Sequence, residues 1–312
     1  MIIAVDHGNS QIKTPNCVFP SALIESKSRL PMATEVLEYK NSFYTLINQR
    51  VRYRRDKTTD EHFYLLTLFG IAKELEEAES YVPGMDVVLS VGLPPEHYAK
   101  QSDRFYKYFL KEEDAKPGRD VKFTYNGNKY HVRVKDVYVF PQAYAAFCSE
   151  PSLVEKKLNA YIVDIGGYTV DILRIAGGQP DLSVCRSLDR GVITMCNQII
   201  SHIDTNFELP IKEEHVLAVL NNKATVLDRK VKEEITKKAQ EYVNETIAHL
   251  RELGVDLRID TAIMVGGGTQ LLKSQIEASP YFSDIVYIED VRANAIGYSL
   301  MANVLESEKE IS

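Results

Sequence analysis

Ala160-Tyr161-Ile162-Val163-Asp164-Ile165-Gly166-Gly167-Tyr168-Thr169 is an apolar run that meets a carboxylate and then two glycines. An uninterrupted apolar run of this length fits a strand buried on both faces, and the Asp-x-Gly that ends it fits a tight turn. The N-terminus, Met1-Ile2-Ile3-Ala4-Val5-Asp6-His7-Gly8-Asn9-Ser10, repeats the device about half a chain earlier. An echo at that spacing predicts two duplicated α/β domains. A third apolar strand, Thr261-Ala262-Ile263-Met264-Val265, ends in Gly266-Gly267-Gly268-Thr269.

Working outward, Asp86 to Pro94 reads as another buried strand, and Phe63 to Glu77 as an amphipathic helix with apolar residues at helical spacing. Phe43 to Tyr53 alternates around Asn48 and predicts a hairpin or edge strands; Val121 to Tyr138, broken by Asn126-Gly127-Asn128, predicts a second hairpin. Helices are expected from Pro141 to Phe147, Gly191 to Ile203, Lys230 to Leu253 and Asn294 to Leu305.

Composition narrows the class without naming a chemistry. The 312 residues carry 37 Lys and Arg against 44 Asp and Glu, a net charge of −7, with 45% apolar residues. That mixture excludes wholesale disorder and argues against coating nucleic acid by bulk electrostatics. No apolar run is long enough for a bilayer, and the N-terminus lacks the basic region of a signal peptide. Cys17, Cys148, Cys185 and Cys196 are scattered, which fits buried thiols in a reducing cytoplasm and not structural zinc. Arg50, Arg52 and Arg54 would share one face of a strand, as a charged edge or a subunit contact.

The three glycine turns carry the chemistry. Glycine accepts positive φ and lets backbone N–H groups approach an anion. A carboxylate beside a polyphosphate is repulsive unless a divalent cation stands between them, and magnesium binds through one or two carboxylates plus water and phosphate. Ser10 and Thr169 offer hydroxyls and Lys13 a positive charge. The P-loop, the G-x-G-x-x-G fingerprint after the first strand, H-E-x-x-H and the G-x-S-x-G elbow are all missing from the sequence.

In this order the motifs resemble the actin/hexokinase/heat-shock-chaperone ATPase superfamily. The first phosphate motif resembles Asp6-x-Gly8 through Lys13, the second Asp164-Ile165-Gly166-Gly167-x-Thr169-x-Asp171, and the adenosine motif Val265-Gly266-Gly267-Gly268-Thr269. Pro141 to Ala146 and Arg292 to Gly297 resemble its two connecting helices. Asp56-Lys57-Thr58-Thr59, Leu65 to Ala72 and Val91-Gly92-Leu93-Pro94-Pro95 resemble the bacterial plasmid-segregation actins of the ParM/StbA type. The resemblance implies an actin-like ATPase fold, two duplicated α/β domains around a nucleotide cleft. Domain I would be residues 1–151, with a small subdomain at about 20–60 and the helix of about 293–312 packing back on it; domain II would be 152–292.

It also implies roles. Asp6 and Asp164 would organise Mg2+ through water, while Gly8, Asn9, Ser10, Lys13, Gly166, Gly167, Tyr168 and Thr169 would hold phosphates. Gln142 would position the lytic water, with Asp171 helping to orient it; family members commonly carry Glu or Gln there, and a neutral amide positions but is a poor base. Gly266, Gly267, Gly268 and Thr269 would approach the adenosine, and Asn222, with Asn221 and Lys223, the ribose. The expected activity is ATP hydrolysis, with GTP as the open alternative, coupled to self-association into filaments. Plasmid or mobile-element DNA would be segregated through a DNA-binding adaptor, without direct nucleic-acid or membrane contact. A small-molecule kinase on the same fold and a nucleotide-binding scaffold with little hydrolysis compete with this reading; a chaperone is disfavoured because no substrate domain follows.

Overall fold

The computed structural model describes residues 1–49, 56–110, 118–154 and 159–311. They form two compact units, Met1–Ser149 with Arg292–Ser312, and Glu150–Val291. The Arg50, Arg52 and Arg54 stripe lies outside the described residues.

Among the described residues, the first unit is built on a nine-stranded sheet. Its strands are β1 (Ile2–His7), β2 (Gln11–Lys13), β3 (Val18–Pro20), β4 (Ala22–Ser26), β5 (Val36–Tyr39), β6 (Ser42–Ile47), β7 (Met85–Leu93), β8 (Arg119–Tyr125) and β9 (Asn128–Pro141). Helices α1 (His62–Ala78), α2 (Pro95–Leu110) and α3 (Tyr144–Ser149) and a C-terminal helix (Ala293–Ile311) complete it. The strand order is β3-β2-β1-β7-β9-β8-β5-β6-β4. Strands β1, β7 and β9 run parallel, and the remaining paired neighbours that flank them are antiparallel.

Period-two alternation in β1 sorts its side chains onto two covers. Ile3 and Val5 enter a large core with Phe63, Leu66 and Phe69 of α1 and Phe105 and Phe109 of α2. Ala4 instead joins Phe140, Ala145, Tyr298 and Ala302 under the C-terminal helix. Gly92 makes that cover fit, because a Cβ there would lie 1.9 Å from the Tyr298 hydroxyl oxygen. The two faces of β1 thus explain why its sequence is apolar throughout.

Of the Phe43 to Tyr53 stretch, the first part lies in β6 and residues 50–53 lie outside the described residues; β6 forms a hairpin with β5 that turns at Lys40 and Asn41, whose φ values of 48° and 61° suit the two left-handed positions of a tight turn. One expectation needs correction. The helix expected from Pro141 begins only at Tyr144. Pro141 still belongs to β9, the Gln142 N–H is bonded to the Leu93 carbonyl, and Ala143 is left-handed with φ 63°. The Asn126-Gly127 turn joins β8 to β9 as its sequence requires, with φ of 50° and 91°.

The second unit contains β10 (Asn159–Ile165), β11 (Val170–Ala176), β12 (Gln179–Leu188), α4 (Val192–Phe207), α5 (Glu213–Leu220), α6 (Arg229–Glu252), β13 (Thr261–Val265), α7 (Gly267–Leu271), α8 (Lys273–Glu277) and β14 (Asp284–Tyr287). Its sheet order, β12-β11-β10-β13-β14, repeats β3-β2-β1-β7-β9: an antiparallel three-strand meander, then two parallel neighbours. Tyr161, Val163 and Ile165 pack with Met195 and Ile199 of α4 and Ile235 and Tyr242 of α6. Asp228 caps α6 by accepting the Lys230 N–H at 2.8 Å. Among the described residues, no helix is long and apolar enough to cross a membrane.

Candidate functional site

The alternation that places Ala4 under the C-terminal helix puts Asp6 on the same face of β1 and His7 on the other. Asp6 is only 2% exposed, so its carboxylate needs partners to offset lost hydration. Lys13, its cross-strand partner on β2, brings Nζ to 3.5 Å from Oδ2. Gln142 donates from Nε2 to Oδ1 at 2.8 Å. An ionised carboxylate only accepts, so the amide nitrogen must face Asp6 and the Gln142 carbonyl oxygen is turned away from it. The structure therefore brings together Asp6, Lys13 and Gln142.

The turn between β1 and β2 has no room for a side chain at Gly8, whose Cβ would lie 2.4 Å from the Gln11 carbonyl oxygen. Ser21 staples the turn from outside. Its Oγ donates to the Asn9 carbonyl at 2.7 Å and its N–H to the Ser10 carbonyl at 3.3 Å, while Ser10 itself is exposed. Sequence reading missed Ser21; its only signal was a small hydroxyl residue after Pro20.

His7 enters the α1–α2 core, stacked on Phe109 and edge-on to Phe63 and Phe105. The Thr67 hydroxyl donates to the Phe63 carbonyl, so His7 Nε2 supplies the hydrogen for its 2.7 Å bond to Thr67 Oγ1. That tautomer leaves Nδ1 unprotonated, and Nδ1 is buried with no hydrogen-bond partner. Burial first, and the Lys57 charge second, hold the His7 pKa well below the usual imidazole value. Lys57 is itself buried and donates from Nζ to the His7 carbonyl.

In the second unit, Asp164 on β10 lies directly opposite Asp171 on β11. The Thr169 hydroxyl donates to Asp171 Oδ2 at 3.0 Å, and the Gly166 N–H closes the turn on the Thr169 carbonyl at 2.9 Å. The Gly191, Val192 and Ile193 N–H groups bind the carbonyls of Tyr168, Gly166 and Gly167 at 2.8, 3.1 and 2.8 Å. The N-terminus of α4 thus takes these carbonyl oxygens, which would repel an anion, as partners for its own orphan donors. Gly191 is the second residue that sequence reading missed. A Cβ there would be 2.4 Å from the Tyr168 carbonyl carbon.

The third turn packs onto the second. Gly266 has φ 91°, and its Cβ would sit 2.3 Å from Asp164 Oδ1; a Cβ on Gly268 would lie 2.5 Å from Ile165 Cγ2, whereas Gly267 borders open space. Thr269 is buried and its hydroxyl donates to the Val265 carbonyl at 2.5 Å, so it anchors the strand-to-helix turn. Asn222 is exposed, left-handed at φ 55°, and bonds its N–H to the Val219 carbonyl at 3.0 Å, capping the end of α5.

Among the described residues, no group of three or more His, Cys, Asp or Glu side chains could cage a metal ion. The donor set instead suits a hard divalent ion that takes one or two carboxylates and fills its remaining positions with water and phosphate. Two carboxylates held in direct cross-strand register, Asp164 and Asp171, are an arrangement that a cation relieves.

Two family models match the sequence: one described as the N-terminal domain of actin-like proteins over residues 4–144, and one as the C-terminal part of the archaeal MreB-like actin homologue over 162–278. Among solved structures, the archaeal actin homologue Ta0583 is similar with a TM-score of 0.74 and 19% identity, over 97% of this chain and 99% of that one. Ta0583 has also been solved in complex with ADP, at a TM-score of 0.70. ParM in a 15-stranded filament from Clostridium botulinum gives a TM-score of 0.74 at 19% identity, over 97% of this chain and 99% of that one. The apo psk41 ParM protein gives 0.72 at 16% identity, over 99% and 98%. At such identities the likeness is one of fold. No curated protein matches the sequence.

Proposed function

We propose that this chain, whose two halves match actin-like family models and whose fold is that of actin homologues, hydrolyses ATP and that the nucleotide drives its assembly into filaments. The observation that carries the proposal is the buried Asp6 with Lys13 and Gln142 converging on it beneath the Gly8 turn. The ADP complex of one structural neighbour and the filament of another support the same reading.

In this mechanism the Gly8 to Ser10 backbone and the Gly167 to Thr169 backbone donate N–H groups to phosphate oxygens, and Lys13 neutralises charge. Asp6 keeps the Gln142 amide in one orientation, so its carbonyl oxygen accepts a hydrogen from the attacking water. The water oxygen bonds to the γ-phosphorus as the bond to the β–γ bridging oxygen breaks, and the water's protons pass to phosphate oxygens, giving ADP and inorganic phosphate. Gln142 cannot take the proton and contributes positioning alone. Asp6 and Asp164 are the residues to hold magnesium through water; bound there, the ion would neutralise phosphate charge.

Nucleotide shifts assembly only if it binds differently to two states of the protein. We place the chain with ParM-type segregation actins, where it would move plasmid or other mobile-element DNA through a DNA-binding adaptor. Light scattering and pelleting with ATP, ADP and a nonhydrolysable ATP analogue, alongside phosphate release, test the proposal. ATP and the analogue should give assembly above a critical concentration, with phosphate released in ATP only. Absence of concentration-dependent assembly with every nucleotide would overturn the filament reading, and turnover without assembly would favour a small-molecule kinase.

A further inference from the structure

Ala143 is fully buried and holds φ at 63°, a conformation that crowds its Cβ and that residues other than glycine seldom adopt. Some contact must hold it there. The Ala143 N–H donates to Oδ1 of Asn294 at 2.9 Å, a buried bond from the first turn of the C-terminal helix. One turn further along the same helix, Gly297 passes so close to α3 that a Cβ on it would fall 1.7 Å from the Ala145 carbonyl oxygen. Asn294 and Gly297 are three apart and share a helix face. Together they clamp the start of α3, by a side-chain hydrogen bond at residue 143 and by backbone contact at residue 145.

On the other side, the Gln142 N–H is tied to the Leu93 carbonyl at the end of β7 at 2.8 Å. Gln142 is therefore held between the sheet and the C-terminal helix, and the left-handed kink at Ala143 decides how the chain leaves it. We infer that Asn294 is a positioning residue for Gln142: by pinning left-handed Ala143 it aims the Gln142 amide at Asp6. This rests on the proposed role of Gln142 in orienting the attacking water. Relaxation of Ala143 to the right-handed region would rotate the peptide that joins it to Gln142 and carry the side chain away from its 2.8 Å bond to Asp6. Neither family motif nor glycine spacing assigns this task to Asn294. It follows from the bond geometry of one buried amide.

The test compares wild type, Asn294→Ala, Ala143→Gly and the double variant. Glycine adopts positive φ at no steric cost, so Ala143→Gly should compensate for the loss of Asn294. The first readout is the Gln142 side-chain amide signal in NMR spectra of the nucleotide-free protein, identified by its loss in Gln142→Ala. Asn294→Ala should shift that signal and speed its hydrogen exchange at least tenfold, and the double variant should restore it. The second readout is steady-state phosphate release. Asn294→Ala should lower kcat 5- to 20-fold with KM for ATP within twofold, and the double variant should recover at least half of the loss. If Asn294→Ala folds poorly, Asn294→Asp decides the matter: it keeps an acceptor near a helix N-terminus, so the Gln142 signal should persist. A Gln142 signal untouched by Asn294→Ala, not restored by Ala143→Gly, or lost in Asn294→Asp would overturn the inference. A wild-type protein that releases no phosphate would refute the hydrolysis reading alone, because the amide signal still reports positioning.

Discussion

Asp164 stands directly opposite Asp171 across β10 and β11, in the same register that Asp6 and Lys13 occupy across β1 and β2. The duplicated hairpins therefore present an ion pair in one unit and two like charges in the other. Like charges directly opposite on a sheet are destabilising, relieved here in part by the Thr169 hydroxyl. Asp171→Asn should raise the melting temperature in EDTA, by a few degrees at most, and that gain should shrink with saturating Mg-ATP. A thermal-shift series with and without the metal checks this; an unchanged or lower value in EDTA contradicts it. Asp164→Ala should abolish phosphate release, and unchanged turnover would remove Asp164 from the site.

Gln142→Ala leaves Asp6 with Lys13 and removes the carbonyl that is to hold the water. Misplacing a reacting group by about 1 Å costs on the order of 100-fold, so kcat should fall by about 10- to 100-fold. Nucleotide affinity should stay within threefold, since the phosphate-facing turns are untouched. Single-turnover phosphate release together with a fluorescent-nucleotide titration separates the two effects.

Gly297→Ala would force a methyl group onto the Ala145 carbonyl, a backbone atom with little freedom to move. Overpacking costs about 1–3 kcal/mol and occasionally more, and this site should lie at the upper end. Gly267→Ala faces open space and serves as the control, with no steric penalty expected. Urea unfolding of the two variants reads the contrast directly.

His7 makes stability depend on pH in a defined direction. Its folded pKa is depressed, so below about 6.5 the unfolded chain takes up a proton that the folded one refuses. The His7 contribution is complete above that value and is lost as pH falls through it toward the folded pKa, at up to about 1.4 kcal/mol per pH unit. His7→Phe keeps an aromatic ring against Phe109 and should flatten the slope between pH 7 and pH 5. Equal slopes in variant and wild type would refute this account.

The duplicated strands and all three glycine turns were legible because they depend on local rules: apolar runs, Asp-x-Gly ends and glycines with no alternative. Helix α1 was legible from its 3.6-residue spacing. The start of α3 was not, because the Leu93 carbonyl and Asn294, both remote in sequence, keep Gln142 and Ala143 out of the helix. Ser21 was invisible for the same reason, being a staple defined by its carbonyl partners and not by a motif. Asn222 and Thr269, singled out in the sequence for nucleotide contact, also have local tasks: one ends α5 and the other fastens a turn.

Tyr298 and Ala302 cover Ala4 and Phe140, yet the chain reaches them only after passing through the whole of the second unit. Vectorial synthesis therefore imposes an order. At about 5–20 residues per second, roughly 8 to 32 seconds separate Phe140 from Tyr298 as they leave the ribosome. The second unit can finish its sheet during that interval, while the growing first unit keeps one apolar face of β1 bare and waits for its last helix. A nascent chain stalled before residue 292 should bind a hydrophobic-surface chaperone, and release of the finished polypeptide should let it go.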